Sequence, residues 1–249
     1  MTQFVEDKIL ALHGFTGCGE DFRLLYSGIE ANWICPDLPG HGRFAQAKRP
    51  DFYLDNWIRH LMPSLPDKDL VGLGYSMGGR LLLHLATAHP HKFRCLILVG
   101  PNPGLEKRDD REKRRRDDKQ LAKRIAADGM RDFLDYWSKT SLIRTQAKRI
   151  PESHYSMMQQ WRTRQNPHGL ALSLLCHGTG RLPSLWAQLA KLKMPVYLMV
   201  GEEDTKFQNI AHQMLSLLRE GNVFVLPNAG HAAHLENADA FTKIMREIL

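Results

Sequence analysis

Three residues far apart in the chain are of types that could share one reaction: Ser76 in GYSMGG, Asp204 in GEED and His231 in NAGH. A serine hydroxyl is a weak base and a weak nucleophile. It becomes useful when an imidazole accepts its proton and a carboxylate holds that imidazole in one tautomer. GYSMG fits G-x-S-x-G, in which a sharp turn from strand to helix lifts the hydroxyl clear of the backbone, and the order serine, acid, histidine is the one that turn uses. The plain alternative is a serine in a structural glycine turn. Glu202 and Glu203 compete for the role of acid, but Asp204 lies furthest past the preceding strand and can turn back towards the histidine. His234 reads as structural, Asp37 in PDLPGHG as shaping its own loop, and His84, His89 and His91 as bystanders.

Such a site also needs N–H donors aimed at a developing oxyanion. Met77, the residue after the serine, supplies one. Phe15 in LHGFTG supplies the other, with Gly14 allowing close approach.

These residues must be carried by a sheet. Apolar runs at 9–13, 33–36, 70–75, 93–99, 196–200 and 223–226 read as strands, and helical patterns fall at 54–62, 77–88, 209–219 and 238–249. The alternation predicts an α/β fold with a mostly parallel sheet covered by helices on both faces. Ser76, Asp204 and His231 then follow the carboxyl ends of strands, where open α/β sheets place their ligands. From 102 to 193 the pattern is helical and strongly charged, which predicts a helical lid between two core segments, 1–101 and 194–249; a separate helical domain is the duller reading. Within it, LDYW at 134–137, Met157, Met158 and Trp161 read first as packing residues.

The chain has 249 residues, 43% hydrophobic and 24% charged, which suits one domain with a large core. No apolar run approaches the roughly 20 residues that span a bilayer. Cys18, Cys35, Cys95 and Cys176 are scattered without ligand-like spacing, so neither a disulfide framework nor a metal site is expected, and a cytoplasmic protein is. The net charge of +7 asks for an anionic partner. The basic run KRDDREKRRRDDKQLAKR at 107–124 carries interleaved acids and few aromatics, which argues against nucleic acid. It reads as a solvated helix face with Asp109–Lys113 and Glu112–Arg116 pairs and one or two inward arginines.

The whole chain resembles the α/β-hydrolase superfamily. Within it, LHGFTG, PDLPGHG, GYSMGGR, NPGL, RTRQNP, GTGRLPSLW, GEEDTKF and NAGHAAHLENA are similar to the 2-succinyl-6-hydroxy-2,4-cyclohexadiene-1-carboxylate synthase family of menaquinone biosynthesis. That resemblance implies a cofactor-free lyase that eliminates pyruvate from a polycarboxylate small molecule; a monomer without membrane insertion is expected. It implies Ser76, Asp204 and His231 as the triad, and Tyr75, Arg80, Arg114, Trp137 and Arg164 as substrate-binding residues, with Arg162 as the alternative to Arg164. Phe22 stands where a tryptophan is common, Leu175-Cys176 replaces an arginine-glycine pair, and the usual leading edge hairpin is reduced or absent. A serine esterase, thioesterase or carbon–carbon bond hydrolase acting on a small acidic substrate is the rival reading.

Overall fold

A computed structural model describes residues 7–249 of the chain. Six strands, β1 (Lys8–Leu12), β2 (Asn32–Ile34), β3 (Leu70–Tyr75), β4 (Phe93–Val99), β5 (Val196–Gly201) and β6 (Gly221–Leu226), form one sheet. Its order is β2-β1-β3-β4-β5-β6, and every neighbouring pair is parallel. Each strand lies within two residues of its expected span. The expected absence of a leading hairpin concerns residues 1–6, which lie outside the described residues.

Parallel strands need crossovers, and helices supply them. In chain order these are α1 (Leu54–Leu61), α2 (Met77–Ala88), α3 (Arg108–Ser138), α4 (Gln146–Arg149), α5 (Glu152–Thr163), α6 (Pro167–His177), α7 (Thr205–Leu215), α8 (Ala233–Glu236) and α9 (Ala238–Ile248). Side chains alternate across a strand, so the apolar runs sort into two clusters. Leu10, Leu12, Leu96, Leu98 and Leu198 pack with α1, α2 and α7 on one face. Ile9, Ala11, Val71, Ile97 and Val99 pack with Phe241 and Met245 of α9 on the other. Burial on both faces is what an all-parallel sheet requires.

The helices α3 to α6 enter between β4 and β5. Ala122, Ile125, Phe133 and Leu134 of α3 and Leu170 and Leu174 of α6 join the cluster on the α2 face. The long α3 breaks at Gly129, whose φ of 72° and ψ of 178° suit glycine alone. Along its charged half, Glu112 pairs with Arg108 rather than Arg116, and Arg124 pairs with Asp128. These exposed pairs contribute little. Met158 is buried and Trp161 partly so, whereas Met157, expected in the core, is exposed on α5.

Leu98 is fully buried near the carboxyl end of β4. Leu98→Ala is expected to lower the unfolding free energy by about 2–5 kcal/mol in urea titration. A loss below about 1 kcal/mol would mean that this side chain does not pack as described.

Candidate active site

The site starts from the turn between β3 and α2. Ser76 has φ 50° and ψ −107°, a backbone state that side chains rarely adopt. Its N–H donates to the Val99 carbonyl at 2.9 Å, and its own carbonyl accepts from Arg80 N–H at 3.1 Å. The turn is tight enough that a Cβ on Gly78 would collide with the Leu12 carbonyl oxygen. The hydroxyl therefore stands at the sheet's carboxyl edge, next to the first turn of α2.

Two strands further along, Asp204 follows β5 and begins α7, and His231 follows β6. Asp204 Oδ2 lies 2.7 Å from His231 Nδ1, and His231 Nε2 lies 2.9 Å from Ser76 Oγ. An ionised carboxylate only accepts, so Nδ1 carries the imidazole proton and Nε2 is free to accept from the Ser76 hydroxyl. The ring is buried between Phe207, at 4.3 Å, and Tyr75, at 5.4 Å. The competing acids are engaged elsewhere: Glu202 accepts from Asn228 N–H, and Glu203 pairs with Arg149 of α4.

The loop after β1 faces this hydroxyl. His13, just past the end of β1, donates from Nδ1 to the Gly14 carbonyl at 2.8 Å while Nε2 accepts from Leu38 N–H at 3.0 Å. Asp37 accepts from Arg43 N–H within its own loop and from Gly19 N–H across to this one, both at 2.8 Å. The Phe15 N–H has no acceptor among the described residues. Met77, the first residue of α2, has none one turn behind it. Both residues line a cavity of about 140 Å³ that opens on Ser76.

The rest of that cavity mixes three cations, Arg80, Arg114 and Lys206, with an apolar wall that includes Leu121, Leu174 and Phe207. Arg80 is buried, donates from Nη2 to the His177 carbonyl at 2.6 Å, and leaves Nε without a partner among the described residues. Burial, and then the charge of Arg114, pull its guanidinium down to about 10, which still leaves it charged at neutral pH. Half-buried Arg114 holds Asp118 at 2.7 Å through Nε. Burial raises the Asp118 carboxyl, against the pull of Arg114 and Arg80. Trp137 closes the wall, edge-on to Phe15 at 5.8 Å and stacked on Phe133 at 5.9 Å. No group of three or more His, Cys, Asp or Glu side chains suited to a metal occurs among the described residues.

Two expected substrate contacts lie elsewhere. Arg164 is exposed at the end of α5, because the buried side of that last turn is taken by Arg162, which donates to Gln146 at 3.0 Å. Tyr75 packs behind the triad, its ring against Gly14 and His231, and does not line the cavity. Conversely, Lys206, Asn102 and Thr179 line it, although the motifs that contain them give none of the three a role of its own. Lys206 stands two residues after Asp204. The helix expected from 209 hid it, since α7 begins at Thr205 and its first turn faces the cavity.

A family model described as the alpha/beta hydrolase family matches residues 9–244. A putative 2-succinyl-6-hydroxy-2,4-cyclohexadiene-1-carboxylate synthase of Bacillus subtilis is 32% identical over 98% of this chain and 90% of its own. A 2-succinyl-6-hydroxy-2,4-cyclohexadiene-1-carboxylate synthase of Photorhabdus laumondii is 28% identical over 96% of this chain and 84% of its own. Among solved structures, MenH from S. aureus superposes with a TM-score of 0.89 at 30% identity, covering 98% of this chain and 93% of that one. An esterase from Exiguobacterium antarcticum, at 19% identity and a TM-score of 0.76, shares the fold.

If Asp204 holds the working tautomer, Asp204→Asn should lower kcat by roughly 10³–10⁴-fold in steady-state assays; a loss below about tenfold would exclude that role. His234 makes a second prediction. It is buried 4.6 Å from the Tyr75 ring, and burial, then His231, pull its imidazole down to about 3. An unfolded histidine binds its proton near pH 6.5, so this lowered group contributes stability above that pH and loses it as pH falls towards 3. His234→Gln should flatten the decline in Tm between pH 6.5 and 4.5, where the wild type loses about 2–3 kcal/mol from this residue. An equal decline in both proteins would contradict the assignment.

Proposed function

The chain belongs to the α/β-hydrolase family, and on that premise we propose that it is a lyase that eliminates pyruvate from 2-succinyl-5-enolpyruvyl-6-hydroxy-3-cyclohexene-1-carboxylate. The product is 2-succinyl-6-hydroxy-2,4-cyclohexadiene-1-carboxylate, as in menaquinone biosynthesis. One observation carries the reading: the hydroxyl–imidazole–carboxylate chain opens on a cavity walled by a buried arginine with an unpartnered Nε and by two further cations, Arg114 and Lys206. A pocket for simple apolar esters has no use for buried guanidinium groups, whereas a substrate with three carboxylates does. The names of the Bacillus and Photorhabdus relatives support the same reaction.

The ring carbon that bears the succinyl group has an acidic hydrogen, because the charge left by its removal spreads onto the adjoining ketone oxygen. Ser76 Oγ takes that hydrogen while its own proton passes to His231 Nε2, and Asp204 stabilises the imidazolium. The released electron pair forms the double bond between ring carbons 2 and 3, the existing double bond moves to carbons 4 and 5, and the carbon–oxygen bond at carbon 5 breaks. Enolpyruvate departs, and protonation of its methylene carbon gives pyruvate. The proton taken from the ring is thereby balanced, and no ester forms on Ser76. The Phe15 and Met77 N–H groups serve the ketone oxygen as it gains charge, where each donor is worth roughly 10²–10³ in rate.

The same 2.9 Å hydrogen bond would also prime Ser76 to attack a carbonyl, so hydrolysis of a small acidic ester, thioester or carbon–carbon bond is the rival reading. Incubation with the enolpyruvyl substrate separates them. Wild-type protein should release pyruvate in step with the absorbance of the conjugated diene, and hydrolysis of simple acidic esters without pyruvate release would favour the rival. Ser76→Ala should lower pyruvate release by roughly 10³-fold or more with an unchanged melting curve. Arg114→Ala should raise KM for the tricarboxylate about tenfold and leave p-nitrophenyl acetate hydrolysis within a factor of two; equal losses on both would remove Arg114 from the pocket assignment.

A further inference from the structure

Gln165 lies in the short connection between α5 and α6 and is buried. Its amide spans two loops of the core: Nε2 donates to the Gly17 carbonyl at 3.0 Å, and Oε1 accepts from Gly42 N–H at 2.7 Å. Gly17 closes the turn that carries Phe15, since its N–H donates to the Gly14 carbonyl at 3.1 Å. Gly42 belongs to the loop of Asp37 and His41, which the same Asp37 ties back to Gly19. The contact continues next door, where the first turn of α6 presses Gly169 against the backbone of Gly40. Gln165 does not line the cavity. Its two bonds nevertheless connect the inserted helices to the loop that aims the Phe15 N–H.

We infer that Gln165 is a positioning residue: its buried amide, bonded to Gly17 and Gly42, fixes the Phe15 loop and makes the oxyanion donor depend on docking of the inserted helices. The inference rests on the oxyanion role given to Phe15 under the proposed function, and it holds for elimination and ester hydrolysis alike. An amide can do this at every pH, whereas a carboxyl of the same shape can do so only when protonated, because one group must donate to a carbonyl while the other accepts from an N–H. The bond to Gly17 is buried and the bond to Gly42 half-buried, so loss of the first leaves a buried loop carbonyl unpaired, and loss of the second unties the neighbouring loop. A displacement of the donor by a fraction of an ångström weakens it in the transition state far more than it weakens substrate binding.

Gln165→Glu tests this, because it keeps the acceptor for Gly42 N–H and replaces the donor to Gly17 by a second oxygen. At pH 8 the variant should lose roughly 30-fold in kcat for pyruvate release with KM within a factor of two, and p-nitrophenyl acetate hydrolysis should fall by the same factor. The introduced carboxyl, buried against a carbonyl, takes up a proton well above the usual carboxylate range and then donates as the amide did. The ratio of variant to wild-type kcat should therefore recover to within about threefold as the pH is lowered to 5.5. Gln165→Leu, which can form neither bond, should show the loss at every pH. A kcat equal to wild type in both variants, a loss confined to KM, or a Gln165→Glu deficit that does not shrink at low pH would overturn the inference. Wild-type protein that cleaves the ester without releasing pyruvate would overturn the proposed function instead, and the Gln165 comparison would then be read on the ester.

Discussion

The backbone of Ser76 is the constraint on which the rest of the molecule depends. Its positive φ costs on the order of 1–3 kcal/mol, and such a state persists only when its surroundings over-determine it. Here β3 is held between β1 and β4 near the centre of the sheet, the Ser76 N–H is fixed to Val99, and α2 packs so closely that Gly78 touches the Leu12 carbonyl. Core packing thus offsets local strain. In return the hydroxyl stands free of its own backbone and within 2.9 Å of an imidazole that comes from the other end of the chain.

The same edge of the sheet explains the electrostatics. Ser76, Asp204 and His231 leave from the carboxyl ends of β3, β5 and β6, and the loop of Phe15 from the end of β1. The inserted helices roof that edge. They bring Arg114 and Trp137 against Arg80 and Phe15, and they set Asp118 where it draws on Arg114. A carboxylate entering this cavity meets charge that the protein has only partly neutralised. Many of the basic residues, by contrast, sit on solvated faces such as the outer side of α3, interleaved with acids, and have no part in the site.

The strand pattern and the triad were legible in the sequence because each rests on a short local rule: short apolar runs for strands buried on both faces, small residues around Ser76 for the turn, and a fixed order of acid and base after later strands. Arg164 and Lys206 show where such rules end. RTRQNP offers two arginines two positions apart, and only tertiary packing decides that Arg162 is buried and Arg164 exposed. Lys206 escapes them because α7 starts directly after Asp204, a boundary set by the tertiary position of that acid rather than by helix propensity. Gln165 carries no motif of its own. Its two partners lie 148 and 123 residues away, so nothing local announces it.

The central claim, that Ser76 acts as a base and forms no ester, is tested most directly by substrate deuterated at the ring carbon bearing the succinyl group. Pyruvate release should then show a primary isotope effect clearly above unity, and protein quenched during turnover should keep its unmodified mass. An isotope effect of unity together with an acyl mass on Ser76 would contradict the account.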